Sequence, residues 1–177
     1  MGKIIAITNQ KGGVGKTTTA VNLSACLAHK HKKVLMIDCD AQGNATSGFG
    51  INPKEVTLSI YDCLVDASNV QNAIIETKYT NLSVIPSAPD LSAAEIELAY
   101  EENREFFLKN ALKDIKNNYD FIIIDSPPAL GMLTINIMTA ADSVIIPIQC
   151  EYYALEGLTQ LIDSIKRIKK MYNTSLD

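Results

Sequence analysis

No run in this 177-residue sequence reaches the roughly 18 consecutive apolar residues that a membrane-spanning helix needs. The N-terminus, Met1-Gly2-Lys3, passes straight into an apolar stretch too brief for the core of a secretory signal. Ala6 stands where a myristoylation pattern starting at Gly2 needs Ser or Thr. The expectation is a cytoplasmic protein with no membrane partner. Close cysteine pairs are missing as well. Cys26, Cys39, Cys63 and Cys150 lie far apart with no Cys-x-x-Cys among them, which argues for reduced thiols and against a zinc or iron–sulfur site built from such pairs. A basic surplus is also absent: the net charge of −4 gives no overall attraction to nucleic acid. The local exception, Lys166-Arg167-Lys169-Lys170, ends the last predicted helix. Its cations either complement the helix dipole or make a DNA or membrane contact. With no repeat, linker or low-complexity segment, residues 1–177 read as one domain. Its 47% hydrophobic content supports a packed core, and a chain this long buries roughly 70% of its unfolded surface.

What the sequence does contain is a phosphate-binding pattern. Lys11-Gly12-Gly13-Val14-Gly15-Lys16-Thr17-Thr18 follows the apolar run Ile4-Ile5-Ala6-Ile7 and precedes a helical pattern that starts near Lys16. Glycines let backbone N–H groups converge on an anion, and a helix N-terminus adds partial positive charge. Lys16 supplies a cation for the β- and γ-phosphates, and the Thr17 hydroxyl is placed to ligate Mg²⁺. The common form, G-x-x-x-x-G-K-[ST], would have glycine at position 10; this chain has Gln10 there and a second lysine, Lys11. A nucleoside triphosphate is the expected ligand.

Short β-branched runs predict strands over Lys3–Thr8, Lys33–Ile37, Phe121–Asp125 and Ser143–Ile148, with Leu82–Pro86 a weaker fifth. Helical patterns fall at Lys16–His29, Leu58–Leu64, Leu91–Lys116 with an interruption, Leu133–Ala140 and Ala154–Met171. Near-continuous apolar strands alternating with helices predict an α/β fold, a mostly parallel twisted sheet with helices on both faces. Ligands of such sheets bind beyond the carboxyl ends of the strands.

Two further strand ends carry acids. Ile37-Asp38-Cys39-Asp40 puts Asp38 and Asp40 on one side of the chain, either to serve a metal's water shell and a nucleophilic water, or to cap the Gly43-Asn44 turn. Phe121-Ile122-Ile123-Ile124-Asp125 is apolar up to its final acid, the pattern of a strand that delivers one Asp to a Mg²⁺–nucleotide site. Ser126-Pro127-Pro128 then leaves the strand as a stiff loop.

Together Lys11-Gly-Gly-Val-Gly-Lys16-Thr17, Asp38-Cys-Asp40-Ala-Gln-Gly-Asn-Ala-Thr46 and Ile124-Asp125-Ser-Pro-Pro128 resemble the deviant Walker A, Walker A′ and Walker B segments of ParA/Soj-type P-loop ATPases of the MinD/ParA group. Pro147-Ile-Gln-Cys-Glu151-Tyr-Tyr-Ala-Leu-Glu156-Gly157-Leu is similar to the segment after the next strand in chromosome-partitioning ParA proteins. The resemblance spans nearly the whole chain. It implies an ATP-binding, slowly hydrolysing switch for chromosome or plasmid partitioning, with ATP and Mg²⁺ as cofactors and an ATP-dependent homodimer. In that arrangement Lys11 reaches the partner subunit's phosphates, and residues 12–15 cradle the nucleotide with Lys16, Thr17 and Thr18. Asp40 orients or activates the attacking water, and Thr17, Asp38 and Asp125 serve the metal. A ParB-like centromere-binding protein would stimulate hydrolysis. Non-specific DNA would be bound through a C-terminal part beyond residue 177, placing the full-length parent on the nucleoid.

The sequence stops at Asn173-Thr174-Ser175-Leu176-Asp177, where another strand is due, which predicts a domain incomplete at its C-terminus and Ser143–Ile148 as a long, apolar, unprotected sheet edge. Competing functions are a MinD-like ATPase for division-site placement, a cluster-assembly ATPase related to nitrogenase iron protein, and an inactive nucleotide-binding interaction module. The first needs a C-terminal amphipathic helix. The second needs subunit-bridging cysteines, whose positions Cys63 and Cys150 do not occupy.

Overall fold

The computed structural model describes residues 2–150 and 154–177. Its strands are β1 (Lys3–Ile7), β2 (Val34–Asp38), β3 (Ile75–Glu76), β4 (Leu82–Ile85), β5 (Phe121–Asp125) and β6 (Ser143–Ile145), joined in one sheet of order β3-β4-β2-β5-β1-β6. All pairings are parallel except β3 with β4. The helices are α1 (Lys16–His29), α2 (Asn44–Gly48), α3 (Ile60–Val65), α4 (Leu91–Glu97), α5 (Phe107–Leu112), α6 (Met132–Ala140) and α7 (Ala154–Met171).

The strands are apolar on both sides because both sides are covered. Along β2 and β5, side chains alternate between two cores. Val34, Met36 and Ile123 pack with Ala20, Ala28, Ala45 and Phe49 from the α1–α2 side. Leu35, Ile37, Ile122 and Ile124 join the larger core, to which Leu64, Leu91, Leu112, Ile137 and Leu161 contribute from α3 to α7. α1 approaches the sheet through Lys16, Ala20, Ser24 and Ala28, all buried and four residues apart. Their small side chains, after Lys16, let the helix axis lie close to the strands.

The register decides where the chemistry can sit. β5 lies between β1 and β2, and Asp125 is the register partner of both Ile7 and Asp38. The carboxyl ends of three strands distant in sequence are therefore side by side.

The structure refines several sequence expectations. Ser143–Ile148 contracts to three strand residues, because the chain turns away after Ile145 to reach the phosphate loop. That strand is the sheet edge as expected, but it is neither long nor bare: Val144 N donates to Asp177 O (2.9 Å), and Asp177 N donates to Asp142 O (3.0 Å). The interruption expected within Leu91–Lys116 is present and falls after Glu97, with Glu101 extended and Asn103 left-handed at φ 56°, before α5 begins. β3 and α2 were not anticipated from the sequence. No helix among the described residues is long and apolar enough to cross a membrane.

Candidate active site

The loop between β1 and α1 carries the phosphate pattern, and its glycines adopt conformations that other residues avoid. Gly13 has φ 73° and Gly15 φ 92°, both left-handed, with Gly15 immediately before the first turn of α1. Nothing lies within 4 Å of a Cβ built on Gly12, Gly13 or Gly15, so the inner side of the loop is open. Lys16 is only 7% exposed, and its Nζ donates to the Lys11 carbonyl at 3.2 Å. Burial lowers its pKa, an effect partly offset by the nearby carboxylates of Asp125 and Asp40.

A cleft of about 330 Å³ opens above this loop, lined by Gly12, Gly13, Gly15, Lys16, Thr17, Thr18 and Asp40, with Gln42, Asn44 and Pro128 completing its rim. Lys11 is exposed beside it, its backbone N–H held by Asn9 Oδ1 at 3.1 Å.

The three acids predicted to share this site have different surroundings. Asp38 is fully buried and already engaged: Oδ2 accepts Thr46 N (2.8 Å) and Thr46 Oγ1 (2.7 Å), and Oδ1 accepts Asp40 N (3.1 Å). It caps α2 from another element, since Gly43 at the helix start has no side chain to do so. Burial nevertheless raises its pKa, against the lowering effect of the Thr46 bonds. Asp40 is half-buried in the cleft wall, with Oδ1 accepting Gln42 N at 3.0 Å. Asp125 is fully buried, and neither of its oxygens has a hydrogen-bond partner of normal geometry among the described residues. Burial drives its pKa up to about 7; the Thr17 hydroxyl and Lys16 lower it, while Asp38 and Asp40 raise it. An unpartnered buried carboxylate beside the Thr17 hydroxyl and the phosphate loop is the donor set expected beneath a hydrated Mg²⁺. Among the described residues, no group of three or more His, Cys, Asp or Glu forms a protein-only metal cage.

Sequence reasoning assigned no role to four residues that shape this site. Thr46 links Asp38 to a third segment, because its Oγ1 also accepts Ser87 N at 2.9 Å. Asn9 Nδ2 donates to Pro147 O (2.8 Å) and Gln149 Nε2 to Gly13 O (3.1 Å), so the loop after β6 is tied to the phosphate loop. Asn44 Nδ2 donates to Gln42 Oε1 at the cleft rim. The signal for Thr46 and Asn44 is their place in the segment after Asp38, and for Gln149 its place in the Pro147–Gly157 segment; for Asn9 there is none, since its bond to Pro147 O joins chain-distant loops. Residues 151–153 of the Pro147–Gly157 segment lie outside the described residues.

Two expected outcomes follow from these contacts. Thr46→Val should destabilise the fold by about 3 kcal/mol in urea unfolding, because it orphans Ser87 N and removes one bond from a buried carboxylate; Thr46→Ser should recover most of that loss. Unchanged stability in the valine variant would show that the network contributes nothing net. Asp125 gives a pH signature. Its folded pKa of about 7 lies above the ordinary 3.8, so the ligand-free protein binds more protons than its unfolded chain between those values. This group's contribution is fully present below about pH 4 and is lost as pH rises to about 7. Asp125→Asn should therefore raise the thermal midpoint of the ligand-free chain at pH 8 and leave it nearly unaltered at pH 4. An equal shift at both values would refute the assignment.

A family described as an AAA domain matches residues 2–177. The chain is 60% identical to the sporulation initiation inhibitor protein Soj of Bacillus subtilis over 176 residues, covering 99% of this chain and 70% of that protein. It is 52% identical to the chromosome partitioning protein ParA of Myxococcus xanthus, covering 99% of this chain and 62% of that one. Its fold is similar to a solved cobyrinic acid a,c-diamide synthase from Mycobacterium smegmatis with a bound ATP analogue and magnesium, at TM-score 0.95 and 36% identity, covering 99% of this chain and 72% of that one.

Proposed function

We propose that this chain, which belongs to the Soj/ParA family of chromosome-partitioning P-loop ATPases, binds ATP with Mg²⁺, dimerises around it and hydrolyses it slowly. The observation that carries this reading is the single cleft in which open loop glycines, Lys16, Thr17, Thr18 and Asp40 meet above the unpartnered Asp125. Residues 1–177 would form part of one ATPase domain that continues beyond residue 177. The identity of 60% to Soj, against 36% to the diamide synthase, favours partitioning over amide synthesis.

In this reading loop N–H groups from Gly12 to Gly15 hold the β-phosphate, Lys16 neutralises the β- and γ-oxygens, and Thr18 reaches the α-phosphate. Mg²⁺, when bound, would supply positive charge against the negative charge that develops on the phosphates. Thr17 would ligate it directly and Asp125 through its water shell. Asp38, with three hydrogen bonds already made, would act chiefly by fixing the backbone of Asp40. Asp40 would then orient the attacking water and accept its proton. Lys11 would complete the partner subunit's site, supplying the positive charge that an arginine finger gives other NTPases. A ParB-like protein would accelerate turnover, and the protein would work in the cytoplasm on nucleoid DNA.

Sedimentation with Mg²⁺ plus a non-hydrolysable ATP analogue, ADP or no nucleotide tests the switch. A dimer with the analogue alone, lost in Lys11→Ala without loss of nucleotide binding, is the expected result. A monomer that binds the analogue at full stoichiometry would overturn it.

A further inference from the structure

A second polar cavity, of about 560 Å³, lies at the opposite end of the sheet from the phosphate loop. Ile4, at the start of β1, forms part of its floor with Leu112 and Ala140. Lys109, Lys113 and Lys116 come to it from α5 and the turns that follow. The acid in its lining is Asp142, whose charge is already taken up: Oδ1 meets Lys116 Nζ at 2.8 Å, and Oδ2 accepts Ile4 N at 2.7 Å. Neither Lys109 nor Lys113 has a carboxylate partner among the described residues; Lys109 Nζ stands 6.0 Å from the Phe106 ring centroid. The cavity therefore keeps two uncompensated cations in a chain whose net charge is −4.

Its walls are fixed rather than loose. Asn173 Nδ2 donates to Met138 O (2.9 Å) and Ala141 O (2.7 Å), and Ser175 Oγ donates to Asn173 Oδ1 (2.9 Å). Asn110 and Asn117 offer side-chain amides with no partner among the described residues, and the buried hydroxyl of Thr139, in the same lining, also lacks one. Excess positive charge, uncharged hydrogen-bonding groups and an apolar floor, in a volume typical of small-ligand sites, are complementary to a polar anion. We propose that this cavity is a second ligand site, for a small phosphate-bearing molecule, independent of the nucleotide cleft. Lys109 and Lys113 would hold the phosphate, and the asparagines the polar remainder.

The test is amide chemical-shift mapping on the whole chain titrated separately with sodium pyrophosphate and AMP, in wild type and in Lys16→Ala. Saturable shifts at Asn110, Lys113, Asn117 and Ser175 that persist in Lys16→Ala are expected. Lys109→Gln/Lys113→Gln, at exposed positions that should leave folding intact, should weaken that binding about tenfold or more. Tighter saturation by AMP would identify a nucleotide-like ligand, and tighter saturation by pyrophosphate a free phosphate; either supports the site. Shifts confined to residues 12–18, a response that never saturates, indifference to the double substitution, or a response to a DNA oligonucleotide but to neither probe would overturn it. Failure of the ATP reading would appear instead as an unresponsive phosphate loop, so the two are separable.

Discussion

Lys16→Ala is expected to lower ATP affinity about a hundredfold or more, as measured by calorimetry in the presence of Mg²⁺. The size of the effect comes from where the ammonium sits. Lys16 is buried, holds the Lys11 carbonyl across the loop, and is the cation that Asp125 and Asp40 both feel. Without it, an incoming triphosphate would meet two carboxylates with no positive charge between them. Truncating one member of a buried charge pair typically costs 2–5 kcal/mol, and each 1.4 kcal/mol is tenfold in affinity. The loop itself should survive the change, since its shape rests on Gly13, Gly15 and the bonds from Asn9 and Gln149. Wild-type affinity in the variant would defeat the phosphate-loop assignment.

The second large effect is expected in turnover rather than binding. Asp40→Ala should keep ATP affinity within a few-fold while hydrolysis falls by about 10² or more, the usual contribution of a positioned acid–base group. Among the three strand-end acids, Asp40 is the one that lines the cleft. Asp38 is tied to Thr46 and the Asp40 backbone, and Asp125 lies buried beneath the loop. A single-turnover measurement at saturating ATP separates chemistry from binding. Equal rates in both proteins would reduce Asp40 to the turn residue that the sequence also allowed, since its Oδ1 does accept Gln42 N.

Long elements with one dominant period were legible before the structure. α1, β5 and α7 fall on the residues their patterns predict, because burial on both sheet faces and a strong helical repeat leave few alternatives. What escaped depends on partners far along the chain. α2 has the composition of a turn, Asn-Ala-Thr-Ser-Gly, and is helical because a carboxylate from β2 satisfies its N-terminal amide. β3 has two residues and exists only as an antiparallel addition to β4. Asp38 shows the same limit within the site. Its position at a strand end suggested a place in the metal shell, but the three hydrogen bonds it accepts from Thr46 and the Asp40 backbone were not visible in the alternation along β2.

The position of β5 between β1 and β2 also governs when a nucleotide site can exist at all. β1 and β2 have no contact through backbone pairing except by way of residues 121–125. A ribosome that has released residues 1–38 must add the chain as far as 125 before the two halves can be joined, on the order of 10 s at ordinary synthesis rates. Until then the phosphate loop has no acid beneath it, and β1 and β2 expose unpaired edges. Nascent chains stalled short of residue 125 should depend on chaperones and retain no ATP, whereas those stalled well beyond it should fold unaided and begin to retain ATP.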